Sequence, residues 1–161
     1  MNENSVSRNS PLEALFWCIA FPGFGQLLNR HYIKGIVLIA MEIVINMGSH
    51  LNSLIVHSFL GDIQTAVEHT NYQWLMFYPC VYMFGIWDAF KHAGGGQSPN
   101  AAFPFIFCAF FATIGVALSS RLKIAGLLLG PVWLPMLFAL AGVFVGFLIK
   151  RFLNSLPSHS V

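Results

Sequence analysis

The sequence predicts an all-α integral membrane protein. Four transmembrane helices follow a short kinked N-terminal helix; five transmembrane helices are the alternative. Three observations predict this. Of the 161 residues, 57% are hydrophobic and 9% charged, whereas a soluble domain carries about 25% charged residues. The mean hydropathy is +0.69. The apolar residues come in long blocks rather than alternating, which excludes a transmembrane barrel built from ~10-residue alternating strands. A bilayer offers no partner to unpaired backbone groups, so each span is expected to be helical.

Residues 1–10 (MNENSVSRNS) are polar and read as a disordered N-terminus. Residues 11–155 read as one helical membrane domain, and 156–161 as a C-terminal tail. The first apolar segment, Leu12 to Leu28, would extend roughly 25 Å, just short of the ~30 Å hydrocarbon core. Pro22 and Gly23 interrupt it. It is therefore a kinked short span or a helix that dips in and returns. A signal peptide is the competing reading of Leu12–Phe21, with Gly23-Phe24-Gly25 as its cleavage site. Glu13 in the run, Pro22 in the site and the further apolar segments argue against it. Trp17 before Cys18 likewise argues against a lipidation site.

The second segment runs from Ile33 to Phe59, long enough to cross with tilt or to project beyond the bilayer. An acidic loop at 61–72, free of Lys and Arg, follows it. The third segment, Trp74 to Phe90, ends in the glycine-rich "WDAFKHAGGGQSPN". The fourth runs from Ala101 to Leu118. The fifth starts at Pro131 or Pro135, where proline suits a first helical turn, and ends at Lys150-Arg151.

Lys and Arg placement sets the orientation. If the first segment only dips, Arg8, Arg30, Lys34, Lys91, Lys150 and Arg151 share one side, against Arg121 and Lys123. This division obeys the positive-inside rule better than a full crossing does. It puts the corner at 29–35, residues 94–100 and the C-terminus in the cytoplasm, and the 61–72 loop outside.

The corner, "PGFGQLLNRHYIKG", resembles the P-G-x-G-Q…K-G segment of small multi-spanning membrane proteins from Bacillus-like bacteria. More distantly, "NRHYIKG" with "GIWDAF" is similar to the turn and acidic element of the two-transmembrane domain family. Leu28 stands at that pattern's usual tyrosine and Arg30 at a usual glycine. The resemblance covers about a quarter of the chain and implies a bacterial cytoplasmic membrane location and little chemistry. From the residues themselves, Pro22, Gly23 and Gly25 make a tight corner. Gln26 and Asn29 can satisfy a carbonyl that Pro22 frees, and Arg30, His31 and Lys34 sit at headgroup level. A site for a lipid headgroup or another anion is the alternative. Asp88, at the same level on the third helix, is expected to pair first with Arg30, then with Lys34 or His31.

Glu42, Asn46, Ser49, His50, Ser53 and His57 fall within an arc of roughly 100° on the second segment. We read this stripe as an interhelical seam. The alternatives are a proton or cation path through Glu42 and His50, and a metal site that two helical turns between those residues disfavour. Tyr78, Tyr82, Gly85, Asp88 and His92 make a similar stripe on the third helix. Gly142 and Gly146, facing Ala112, Gly115 and Ser119, suggest close packing of the last two helices or, alternatively, self-association. Cys18, Cys80 and Cys108 read as small buried hydrophobes. No catalytic, cofactor, metal or nucleic-acid motif stands out. The expected function is non-enzymatic: a scaffold or partner subunit in the bilayer. A proton- or cation-coupled transport element using Glu42 and His50 is the alternative.

Overall fold

The computed structural model describes residues 10–156; the expectations for residues 1–9 and 157–161 fall outside them. The fold is all-α apart from one two-stranded hairpin. Helices α1 (Pro11–Ala20) and α2 (Phe24–Leu28) flank the break at Phe21-Pro22-Gly23. Phe21 is extended and Gly23 takes a φ of 103°, a conformation that glycine adopts without steric cost. The chain thereby folds back on itself. Gly25 returns to the level of Ala14: a Cβ at 25 would lie 2.5 Å from the Ala14 carbonyl oxygen and 2.7 Å from Cys18 Sγ.

Helix α3 (Tyr32–Ser49) is followed by α4 (Leu51–Phe59) and α5 (Ile63–His69). The continuous helix expected from Ile33 to Phe59 is broken at His50, whose φ of 61° is left-handed. The stretch expected as an acidic loop contains α5, started by Asp62, whose side chain accepts a hydrogen bond from the Thr65 amide. The third apolar segment divides into α6 (Tyr72–Leu75) and α7 (Tyr78–His92). The Asn71 amide donates to the Ser49 carbonyl at 3.3 Å, so α6 starts beside the end of α3. Gly48 leaves room there for the Trp74 ring, which a Cβ would meet at 2.5 Å.

Helices α8 (Phe103–Leu118) and α9 (Gly130–Ser155) make the closest pair in the fold. A Cβ on Gly142 would collide with the Phe107 carbonyl, and one on Gly146 would lie 2.6 Å from Pro104 Cα. One on Gly115 would lie 2.6 Å from Cα of Pro135, a proline inside α9. The small-residue faces thus serve packing within the chain, and the face considered for self-association is occupied. Strands β1 (Lys123–Ile124) and β2 (Leu127–Leu128) join these helices, pairing Lys123 with Leu128 and Ile124 with Leu127.

The elements define two ends. At one, Asn29 meets Ala89 and Asn154 meets Pro99 and Asn100. This end collects Arg30, Lys34, Lys91, Lys150 and Arg151 against Glu13 and Asp88. At the other, the Trp133 indole donates to the Ser58 carbonyl and Gly130 packs on Ile63. The core lies in two clusters. Ala14, Cys18, Ile86, Ala89 and Ala93 join the N-terminal hairpin to α7. Leu51, Leu54, Ala66, Leu75 and Val116 tie α4–α6 to α8. Two helices, Tyr32–Ser49 and Gly130–Ser155, are long and apolar enough to cross a membrane. Ile33, Met47, Leu140 and Phe144 are among the large side chains exposed on them.

Candidate functional site

Asp88 sits at the centre of a polar cluster where the folded-back hairpin meets α3 and α7. Its side chain is 9% exposed. Lys34 Nζ lies 2.9 Å from Oδ1, and Gln26 Nε2 donates to Oδ2 at 3.2 Å. His92 Nδ1 lies 3.3 Å from Oδ1, but its shorter bond, 2.7 Å, is to the Asp88 backbone carbonyl. That geometry assigns the Nδ1 proton to the carbonyl, which any residue at 88 would supply. The carboxylate itself is therefore held by Lys34 and Gln26. The first-named expectation, a pair with Arg30, is corrected. Arg30 is spent on the turn, with a φ of 63°, and forms no ion pair among the described residues. The α3 helix, starting at Tyr32, brings Lys34 to the carboxylate instead. His31 turns its ring edge against His92 at 4.5 Å.

Gln26 is fully buried and uses both ends of its amide. Nε2 also donates to the Gly85 carbonyl at 2.8 Å, and Oε1 accepts from Cys18 Sγ at 3.3 Å. Asn29 Nδ2 donates to the Ala89 carbonyl at 2.8 Å. Gln26 and Asn29 therefore reach across to α7 rather than repairing the local break at Pro22. The Tyr82 hydroxyl closes the deep end by donating to the Ile19 carbonyl at 2.5 Å. Gly23 passes close to Gly35, where a Cβ would lie 2.6 Å from the Gly35 carbonyl. Gly85 has ordinary room for a Cβ, 3.7 Å from Pro22. Its contribution is the carbonyl that Gln26 and Cys18 use. Cys18, Tyr82 and His92 were not among the corner residues inferred from sequence; Tyr82 and His92 share the α7 stripe with Asp88, but the partners Ile19 of Tyr82 and Gly85 of Cys18 are over 60 residues away and leave no local signal.

The polar stripe does not survive as one face. Glu42 and Ser49 are buried in α3, while the break turns His50 outward, where Nδ1 meets the His69 carbonyl at 2.9 Å. Asn46 bonds Asn52 at 3.2 Å. Ser53 is half-buried on α4. His57 lies 3.4 Å from the Asp62 carboxylate, its ring edge against His69. Hydrogen bonding by Thr65 holds the exposed Asp62 carboxyl below the usual carboxylate range. Glu42 lies beside the Tyr78 hydroxyl, and its Oε2 has no partner among the described residues. Tyr78 stacks on Tyr82 at 5.4 Å, and both line a cavity of about 350 Å³ between α4, α7, α8 and α9.

Of the cysteines, Cys18 and Cys108 are buried and Cys80 is exposed, contrary to its expected burial. No group of three or more His, Cys, Asp or Glu side chains is placed to hold a metal ion among the described residues. Chemically, the Asp88 cluster fastens a folded-back hairpin to two helices through charge-assisted and amide bonds. Compared with family models, curated proteins and solved structures, the chain matches none.

Proposed function

We propose that the chain is a non-enzymatic integral membrane protein acting as a scaffold or partner subunit in a bacterial cytoplasmic membrane. On this reading α3, the α6–α7 pair, α8 and α9 cross the bilayer, and α1–α2 is a re-entrant hairpin. The observation that carries it is the use made of the polar groups. Asp88 is engaged by Lys34 and Gln26, and Asn29 and Tyr82 are engaged by backbone carbonyls. Such bonds set the angle between elements. The exposed apolar surface of α3 and α9 supports lateral contact with lipid or another membrane protein. The excess of Lys and Arg at the corner end supports a cytoplasmic assignment for that end.

A transport element is the second reading. One observation favours it: the unpartnered buried Oε2 of Glu42 beside the Tyr78–Tyr82 pair. A carboxyl inside a bilayer is a functional candidate by default. His50 no longer supports this reading, because it faces outward and bonds to His69. The test is proton and cation flux into liposomes containing the wild type or Glu42→Gln, run beside purification in mild detergent. A partner recovered in stoichiometric amount, with no flux in either sample, supports the scaffold. Flux in the wild type that Glu42→Gln abolishes overturns it in favour of transport.

A further inference from the structure

Helices α3 and α7 leave a furrow between them that the other described residues do not fill. Its first part, about 350 Å³, is lined by Val37, Leu38, Met41, Cys80, Val81 and Phe84, with Lys34 and Asp88 at one end. A second part, about 550 Å³, shares Val37, Met41 and Val81 and continues past Val44 to Trp74. Taken along α3 from Lys34 to Ile45, the furrow is roughly 16 Å long at ~1.5 Å per residue. It is long, apolar throughout its length, and polar only at the corner end.

That end is cationic on balance. Lys34 Nζ spends one bond on Asp88, and its side chain is half exposed. An ammonium has three donors, so the remaining ones face outward. Arg30 is exposed four residues before it, in the left-handed turn that precedes α3, outside any ion pair among the described residues. Lys91 lies over the exposed side of Trp87 at the same end. Asp88, the neighbouring acid, is already covered. A ligand that fits must present an apolar chain and, at one end, a negative charge with several acceptor oxygens.

We propose that this furrow is a binding site for one anionic glycerophospholipid, with an acyl chain along α3 and α7 and the phosphate at Lys34 and Arg30. The assignment rests on the reading of α3 and α7 as membrane-spanning. Charge selects this occupant over the others: a second copy of the chain would bring a second cationic end to the same place. A zwitterionic lipid adds an ammonium to an end that carries Lys34, Arg30 and Lys91 against Asp88.

The test begins with alkaline carbonate extraction of membranes containing the full chain. Release into the supernatant would overturn the membrane reading itself, independently of any lipid preference. The retained protein is then titrated in detergent with phosphatidylglycerol or phosphatidylcholine and read by native mass spectrometry. One phosphatidylglycerol per chain is expected to bind at least about tenfold more tightly than phosphatidylcholine. Arg30→Gln, which keeps the turn and removes the charge, should lower that preference about fivefold. Val37→Trp fills the furrow without altering any charged group and should abolish the stoichiometric lipid. Arg121→Gln at the opposite end should change nothing. Equal binding of the two lipids, or indifference to both Arg30→Gln and Val37→Trp, overturns the site. Displacement by millimolar inorganic phosphate would make it a phosphate site without a chain. Lipid-free dimers abolished by Val37→Trp would make the furrow a self-association surface.

Discussion

The choice between Arg30 and Lys34 as the partner of Asp88 shows what four residues of separation can hide. Arg30 and Lys34 lie at the same boundary in the sequence, and either charge suits a carboxylate on the third helix. The start of α3 at Tyr32 and the left-handed turn at Arg30 decide between them, and neither is visible in composition. Asp88→Asn keeps the shape and removes the charge. It should lower stability in detergent by about 1.5–3 kcal/mol, the range for hydrogen bonds to charged groups. Lys34→Gln should lower it less, because its side chain is half exposed. The double variant should lose less than the sum, by ~0.5 kcal/mol or more; thermal melts of all four proteins test this, and additive losses would refute the pair. Glu42 invites a second comparison. Tyr78→Phe removes the hydroxyl beside the buried carboxyl and should cost about 0.6 kcal/mol, the average measured for hydrogen bonds inside membrane bundles. Glu42→Gln keeps the volume and should melt within about 0.5 kcal/mol of the wild type if Glu42 is structurally dispensable.

At the scale of elements, the hairpin depends on how closely α1 and α2 approach. Gly25→Ala puts a Cβ against the Ala14 carbonyl and Cys18, neither of which is the loose end of a flexible chain. An overpacking loss of about 1–3 kcal/mol is expected, together with exposure of Cys18 to a thiol reagent that leaves it untouched in the wild type. The break that makes this hairpin was legible, because proline and glycine punctuate a helix whatever surrounds them. The break at His50 was not. Ser49-His50-Leu51 contains neither residue, and the helical periodicity runs through it to His57. A tertiary bond from the Asn71 amide to the Ser49 carbonyl accompanies the end of α3, and its donor is remote in sequence. The α5 helix carries its own signal, Asp62 three residues before Thr65. The folded chain holds this carboxyl below its ordinary range near pH 4, so its contribution is present above that range. Acidification removes it as the pH falls through the lowered value. Protection of the Thr65 amide against hydrogen exchange, relative to its intrinsic rate, should fall as the carboxyl protonates, and Asp62→Asn should flatten that pH dependence.

For the whole molecule, the helical class and the close pairing of the last two helices were readable from block hydropathy and the spacing of Gly142 and Gly146. The arrangement of the N-terminal segment needed contacts between residues far apart in sequence. Its return brings Ser10 and the corner to one end, with 94–100 and Asn154. A cysteine placed at Gln97 should therefore resist an impermeant thiol reagent applied to intact cells, whereas one at Gln64 should react. The comparison is made in a background without Cys18, Cys80 and Cys108. Reversed labelling would overturn the orientation.

The hairpin's fastenings also impose an order on biogenesis. Gln26 finds its carbonyl at Gly85, 59 residues further on. At roughly 5–20 residues per second, translation needs several seconds to deliver that partner. Until α7 emerges, α2 can pack on α3, but the Gln26 amide lacks its carbonyl and Ala14 and Cys18 lack the core they share with α7. The α1–α2 hairpin is thus completed only after a later segment is made, and an early part of this fold is assembled from the middle of the chain.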